Sequence, residues 1–317
     1  MHDLKGKKIV VTGGAGFIGS NIVEELLDRE ADVIVIDNLS TGRIENIKPF
    51  LDKITFIEKS ITDLDMLLEE FKNVDYVLHQ AAIPSIPRSI EDPIGTNNAN
   101  INGTLNVFYA AHKTGVKRVI YACSSSTYGD VEKMPVHENM PLNPISPYAV
   151  QKTVKEMYGK LFHRIYGLDT IGLKYFNVFG PKQDPNSKYS AVIPIFIKSI
   201  LKDERPTING DGTTTRDFTY VKNVVNANLL ACLAPEIGGH VFNVSSGKKV
   251  SINELVQKIN EILKKDIKPE YIDFRKGDIL HSYANISKAQ KMLNYSVEVD
   301  FDEGLRRVIE HYIKELG

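Results

Sequence analysis

The chain has 317 residues, 42% of them hydrophobic and 25% charged, with 39 Lys and Arg against 40 Asp and Glu for a formal net charge of −1. This is a globular composition with enough apolar material for one large domain or two unequal ones, and the balanced charge argues against a nucleic-acid or membrane-surface partner. The opening Met1–Gly6 lacks the apolar core of a secretion signal and no run of 18 apolar residues occurs, so a cytoplasmic protein is expected.

Along the first half, six short Val- and Ile-rich runs predict strands at Lys8–Thr12, Asp32–Asp37, Ile54–Glu58, Val74–His79, Arg118–Cys123 and Thr170–Phe176. Helical patterns separate them, including Ile18–Asp28, Asn100–Thr114 and Pro147–Tyr166. Alternation of this kind predicts an α/β fold, a doubly wound (Rossmann) parallel sheet that binds ligands at the carboxyl ends of its strands. Cys123 and Cys232 lie in apolar runs, as buried thiols do in a reducing compartment. After Asn177 the pattern changes to turn-forming stretches, Phe179–Asn186 and Asn209–Gly212, among helices at Val192–Leu201, Val221–Leu233, Ile252–Lys264, Ser287–Leu293 and Asp302–Leu316. The expected division is therefore a dinucleotide-binding domain over residues 1–176, to which 217–245 returns, and a smaller α/β substrate domain over 177–317 that closes over the sheet's ligand edge.

The first strand runs into Thr12-Gly13-Gly14-Ala15-Gly16-Phe17-Ile18-Gly19, glycines spaced GxxGxxG between a strand and a helix. Without Cβ atoms at Gly13, Gly16 and Gly19, the turn can be tight and its backbone N–H groups can approach a pyrophosphate at the positive helix end. A glycine triplet alone also occurs in merely structural turns. The second strand strengthens the reading because it ends at Asp37, about twenty residues on, where a carboxylate accepts both ribose hydroxyls and repels a 2′-phosphate. NAD is thus favoured over NADP. No metal is called for.

Tyr148 and Lys152 form a YxxxK pair on a helix opened by Pro147, and their spacing puts both side chains on one face. An ammonium held near a phenol stabilises the phenolate, which makes the tyrosine a usable base. The fifth strand empties into Cys123-Ser124-Ser125-Ser126-Thr127-Tyr128-Gly129, placing hydroxyls at the same sheet edge. Taken singly, YxxxK is usually a surface pair; its order after a dinucleotide turn and a post-strand serine cluster reverses that expectation.

With these residues, the chain resembles the extended short-chain dehydrogenase/reductase family over essentially its whole length. Within that family it is most similar to NAD-dependent UDP-N-acetylglucosamine 4-epimerases, through His79-Gln80-Ala81-Ala82, Pro87-Arg88-Ser89, Ser146-Pro147-Tyr148-Ala149-Val150 and Tyr175-Phe176-Asn177-Val178-Phe179-Gly180. The resemblance implies that Ser124 hydrogen-bonds the sugar O4, Tyr148 is the base and Lys152 its electrostatic partner. It further implies that Phe17, Ile18, Asn38, Ser40, Thr41, Gly42, Gln80, Ala81, Ala82 and Val178 join the glycines, Asp37, Tyr148 and Lys152 around NAD. Many relatives carry an Asp contacting adenine after the third strand; here the chain reads Lys59-Ser60-Ile61, leaving Ile61 to supply backbone contacts.

For the UDP-sugar, Arg216 and Arg275 are the candidates to bind the pyrophosphate, through paired guanidinium donors. The resemblance implies that Asn177, Ala191 and Val192 contact the nucleotide, Thr207 lies near uracil, Asp278 binds the ribose, and Ser85 and Ser125 lie near the sugar. Ser282 falls where glucose-restricted epimerases resemble one another in carrying a tyrosine, so its small side chain leaves room for an N-acetyl group. The expected reaction is reversible C4 epimerisation of UDP-GlcNAc and UDP-GalNAc, and of UDP-Glc and UDP-Gal. The resemblance implies a homodimer paired through Asn100–Thr114 and Pro147–Tyr166, with ordinary packing of these helices within one chain as the alternative. Three alternatives stand beside the expected reaction. A 4,6-dehydratase carries an Asp-Glu pair, and a uronic acid decarboxylase a glutamate, where this chain has Ser125-Ser126. A non-catalytic dinucleotide sensor could dispense with Tyr148 and Lys152, which are both retained.

Overall fold

The protein's structure, a computed structural model, describes residues 4–184, 191–273 and 280–316. Strands β1 (Lys8–Thr12), β2 (Asp32–Ile36), β3 (Thr55–Ile57), β4 (Tyr76–His79), β5 (Arg118–Ser124) and β6 (Asp169–Tyr175) occupy the six expected positions. Apart from β3, their residues are buried almost without alternation, which is why the sequence shows continuous apolar runs. A seventh strand, β7 (His240–Val244), was not among those expected; with His240 and Asn243 in five residues it lacks a clean apolar run. All pairings are parallel, in the order β7-β6-β5-β4-β1-β2-β3. The order reverses at β1, so a crevice opens beyond the carboxyl ends of β1 and β4, the switch point at which such sheets take ligands.

Helices cover both faces. On one, Val107 and Phe108 of helix Gly103–Thr114 and Phe162 of helix Pro147–Tyr166 pack over Val77, Val119 and Tyr121. The rings of Phe108 and Tyr121 meet edge to face at 5.3 Å, and the Phe108 ring also meets that of Phe162 at 5.5 Å, which seats the helix that carries Tyr148. On the other face, helices Phe17–Asp28 and Val221–Leu233 lie against the sheet, and their core continues without a break into Ile193, Ile197, Leu255, Ile259, Leu305 and Ile309 of the C-terminal region. Arg118 docks the end of helix Val221–Leu233. Its buried guanidinium bonds the carbonyls of Ala231, Cys232, Ala234 and Pro235 and pairs with Asp169. The last carbonyls of that helix are thereby satisfied by a cation, which its dipole also favours. Cys123 and Cys232 are both buried and free. Among the described residues no helix is long and apolar enough to cross a membrane.

Candidate active site

The turn after β1 is closed by glycine. A Cβ at Gly19 would lie 2.1 Å from the Gly13 carbonyl oxygen, and one at Gly13 would lie 2.6 Å from the Ala81 nitrogen, beyond β4. Gly16 differs: a Cβ there would meet only the Gly13 oxygen, at 3.2 Å, so its outer side is open. Gly16 is also the N-cap of helix Phe17–Asp28, which has neither a side-chain cap nor an acidic residue in its first turn. Unsatisfied N–H groups at a helix start beside an open backbone fit a pyrophosphate.

Asp37 follows β2 and is buried. Its two carboxylate oxygens accept N–H groups of Ala15 (3.0 Å) and Leu39 (2.9 Å). Burial pushes the Asp37 carboxyl above the ordinary range, and the two backbone donors pull it back. The acid therefore joins the phosphate turn to the exposed loop Asn38, Ser40, Thr41 and half-buried Gly42, and keeps lone pairs for a ribose hydroxyl. Gln80 is placed at the crevice by β4, ahead of Ala81 and Ala82, but its amide bonds Asn228 (3.1 Å) and Tyr175 (3.0 Å) and its backbone N–H bonds the Thr12 carbonyl (3.0 Å). Ile61 is buried; its carbonyl accepts from Asn106 and its side chain packs against Gly103. Val178 lies on the pair Val178–Phe179, hydrogen-bonded to Thr219–Tyr220.

A directed chain of hydrogen bonds lies beneath this edge. Thr104 Oγ1 donates to the Asn100 carbonyl (2.6 Å), so it accepts from His79 Nε2 (3.0 Å). In a ring that burial keeps neutral, His79 Nδ1 then accepts from Thr12 Oγ1 (2.7 Å), which in turn accepts the Ala81 N–H (3.4 Å). His79 is thus the neutral Nε2–H tautomer. Burial, and then Lys155 and Lys152, hold it well below the usual histidine range. Asn100 sits in a π-helical segment, Asn98–Asn102, and its side chain bonds both backbone groups of Ile83 and donates to Gln151 Oε1 (2.7 Å). This ties the turn before Ser85 to the residue preceding Lys152.

The proposed catalytic side chains converge on one edge. Helix Pro147–Tyr166 begins with Ser146, whose hydroxyl accepts the Ala149 N–H, and the Tyr148 N–H is held by Ser89 Oγ at 3.1 Å. One turn on, Lys152 is buried, with its ammonium 5.7 Å from the Tyr148 ring centroid and 3.0 Å from the Ala122 carbonyl in β5. β5 then ends in Ser124. Its Oγ accepts from Ser126 N (3.2 Å) and Ser126 Oγ (2.9 Å), and has no acceptor for its own proton among the described residues. Ser125 and Ser126 form the short turn that follows. Ser85 caps helix Ile86–Glu91 by accepting the Arg88 N–H.

Across the crevice, Asn177 Nδ2 reaches the Asp217 carbonyl (3.1 Å) and Ser282 Oγ (3.5 Å). The segment bearing Ser282 is bonded on one side to Thr215 and on the other to Val136. Arg216 is anchored to the carbonyls of Thr215 and Leu280. Ala191 and Val192 open helix Val192–Leu201, while Thr207 is exposed on the ribbon of Thr207–Asn209 with Glu270–Ile272, with no hydrogen bond to the other candidates among the described residues. Arg275 and Asp278 lie outside the described residues.

Sequence reasoning missed several residues that hold this edge together. Asp217 is fully buried and accepts from Ser246 N (3.0 Å), Ser246 Oγ (2.7 Å) and Ala284 N (3.2 Å); burial still pushes it up to about 6. His79 and Ser89 stood in the motifs that carry the resemblance but without a role, and Gln151 and Asn100 were visible only as polar letters, since the partners of all four are distant in the chain.

Comparison with known proteins agrees with this geometry. A UDP-N-acetylglucosamine 4-epimerase from Methanobrevibacter ruminantium, solved with UDP-N-acetylmuramic acid, is 44% identical, with a TM-score of 0.94 over 98% of this chain and 99% of its own. A UDP-glucose 4-epimerase from Thermotoga maritima, solved with UDP-glucose, is 38% identical, with a TM-score of 0.93 over 98% of this chain and 100% of its own. A UDP-glucose 4-epimerase from Thermus thermophilus, solved with NAD, is 34% identical, with a TM-score of 0.87 over 96% of this chain and 99% of its own. The sequence model of the NAD dependent epimerase/dehydratase family matches residues 9–245. The chain is an enzyme of the NAD dependent epimerase/dehydratase family, and its cofactor is NAD.

Proposed function

We propose that the enzyme interconverts UDP-sugars epimeric at C4, acting on UDP-GlcNAc and UDP-GalNAc and also on UDP-Glc and UDP-Gal. The observation that carries this reading is the hydroxyl of Ser124, its proton uncommitted, at the end of the strand to which Lys152 ties the helix of Tyr148. Ser124 holds O4 by donating to it. Tyr148, as phenolate beside the Lys152 ammonium, takes the O4 proton and later returns it. NAD, when bound, supplies the hydride acceptor and donor at C4. Arg216 and Arg275 hold the pyrophosphate while the sugar turns to present its other face. Ser282 leaves room at C2 for an N-acetyl group.

A dehydratase needs an acid and a base to eliminate water. The loop Ser124–Tyr128 offers hydroxyls in their place, which favours epimerisation. Incubation with each of the four UDP-sugars and separation of the products tests the reading. Formation of the C4 epimer is expected, and a dehydrated or decarboxylated product overturns it.

We assign residues 1–176 and 217–245 to the cofactor-binding unit and the rest of 177–317 to the sugar-binding unit. The enzyme is further read as a cytoplasmic homodimer. Both cysteines are unpaired, the helix Pro147–Tyr166 presents Val150 (45% exposed) and Met157 (61%) outward, and the helix Gly103–Thr114 packed against it exposes Tyr109. A stripe of this kind suits a copy of the same helix pair. Met157→Lys is expected to convert a dimer to a monomer in sedimentation; a monomeric wild type overturns the assignment.

A further inference from the structure

Lys174 is a fully buried lysine with no part in the chemistry described above. It lies on β6 opposite Cys123 of β5, one residue before the pair Ser124 and Tyr175. Two groups surround its ammonium. Glu156, buried on the catalytic helix two turns beyond Tyr148, places Oε2 at 3.0 Å, off the axis of a directed hydrogen bond. The ring of Tyr128 covers it at 4.1 Å from the centroid. Ammonium protons without a directed acceptor are free to face the π cloud, and a desolvated cation gains most from it.

Tyr128 closes the short turn that begins at Ser125, so it fixes the far end of the loop bearing Ser124 and Ser126. It is itself held from the other side. Its hydroxyl donates to Asn243 Oδ1 at 2.7 Å, and the Asn243 amide donates to the carbonyls of Val136 and Asn285, both 3.2 Å away. Asn285 lies three residues beyond Ser282. One buried chain, Glu156 to Lys174 to Tyr128 to Asn243, therefore joins the catalytic helix to the serine loop and then to the segment carrying Ser282.

We propose that Lys174 is a positioning residue of the active site: clamped between Glu156 and the Tyr128 ring, it sets the serine loop against the catalytic helix and so fixes Ser124 relative to Tyr148. A loose ion pair under a ring is short-ranged, and its loss lets the loop move while the sheet persists. The inference uses the epimerase reading only for its kinetic arm.

The test compares Lys174→Met, Lys174→Arg, Tyr128→Leu and the double variant Lys174→Met/Glu156→Met, which leaves no unpaired buried charge. In Lys174→Met, kcat is expected to fall about 100-fold, the effect of a small misplacement of reacting groups, with KM within about threefold. Amide exchange over residues 124–129 is expected to quicken about tenfold or more. Tyr128→Leu and the double variant should reproduce both effects, so a Lys174→Met chain that fails to fold still leaves the proposal tested. Lys174→Arg, a cation that stacks on the same ring, should restore both. Unchanged kcat or unchanged exchange in a folded variant lacking the cation overturns the proposal, as does an equal loss in the Arg variant. A wild type that epimerises no UDP-sugar defeats the epimerase reading alone, because the exchange arm still decides the role of Lys174.

Discussion

The Lys152 ammonium donates to the Ala122 carbonyl at 3.0 Å, two residues before Ser124 in the same strand. One side chain thus fixes the helix of Tyr148 against the strand of Ser124 and places a cation beside the phenol. The two roles separate by mutation. Tyr148→Phe keeps the tether and should retain the wild-type melting temperature and its NAD while losing about 10²- to 10⁴-fold in kcat. Lys152→Met should lose comparable activity and also melt lower, because the Ala122 carbonyl is left without its donor. Equal melting temperatures for the two variants would show that the tether is unimportant.

The phosphate turn offers a contrast between two glycines. A Cβ at position 19 meets a backbone oxygen at 2.1 Å that cannot yield far enough, whereas at position 16 the nearest protein atom is 3.2 Å away. Gly19→Ala should therefore destabilise the protein without added NAD by about 1–3 kcal/mol, the usual cost of overpacking. Gly16→Ala needs a shift of only a few tenths of an ångström from the same oxygen, so it should cost less stability than Gly19→Ala while weakening NAD binding. Thermal melts without cofactor, followed by NAD titration, distinguish the two; similar losses of stability would contradict the open flank at Gly16.

The elements legible in the sequence were those with local causes. Runs such as Ile9-Val10-Val11 and Val33-Ile34-Val35-Ile36 announce strands buried on both faces, and the glycine turn and YxxxK announce themselves by spacing. Strand β7 was missed because His240 and Asn243 interrupt it, and Asn243 is there to receive Tyr128 from 115 residues away. Asp217 was equally silent: nothing near it in sequence reveals that its donors come from Ser246 and Ala284. Long-range polar pairing has no periodicity to read.

Asp217 makes the stability of the sugar-side segment depend on pH. Burial raises its carboxyl from 3.8 to about 6, against its hydrogen-bond donors. A folded value above the unfolded one means that the folded state holds the proton more tightly. The charged form costs stability above pH 6, and that cost is relieved as pH falls from about 6 towards 4, by about 3 kcal/mol in full. Asp217→Asn removes the titration and sets an amide against the Ser246 and Ala284 N–H donors. In urea unfolding at pH 7, 6 and 5, wild type should gain stability relative to the variant as pH falls. Parallel slopes would refute the buried charge.

His79 should behave in the opposite sense. Its folded value is depressed, so the neutral ring's contribution is present above about pH 6.5, the unfolded value, and is lost as pH falls below it. In ring-labelled NMR spectra of the folded enzyme, His79 should remain the Nε2–H tautomer from pH 8 to pH 5 with no titration. A ring shift following an ordinary histidine curve would break the Thr12–His79–Thr104 assignment.

Ser282 is half-buried, with its hydroxyl 3.5 Å from the Asn177 amide and its N–H bonded to the Thr215 carbonyl. The backbone there is held by Thr215, Val136 and Asp217, so a larger side chain cannot be accommodated by shifting the segment. In Ser282→Tyr the ring must project beside Asn177, into the space proposed for a C2 substituent. Turnover of UDP-GlcNAc and UDP-GalNAc should fall at least about tenfold relative to that of UDP-Glc and UDP-Gal, since an unrelieved clash of this kind exceeds about 1.4 kcal/mol. Ser282→Ala, which keeps the volume small, should leave the ratio of acetylated to non-acetylated turnover near that of wild type. If the ratio is unchanged in Ser282→Tyr, C2 recognition lies elsewhere in the crevice.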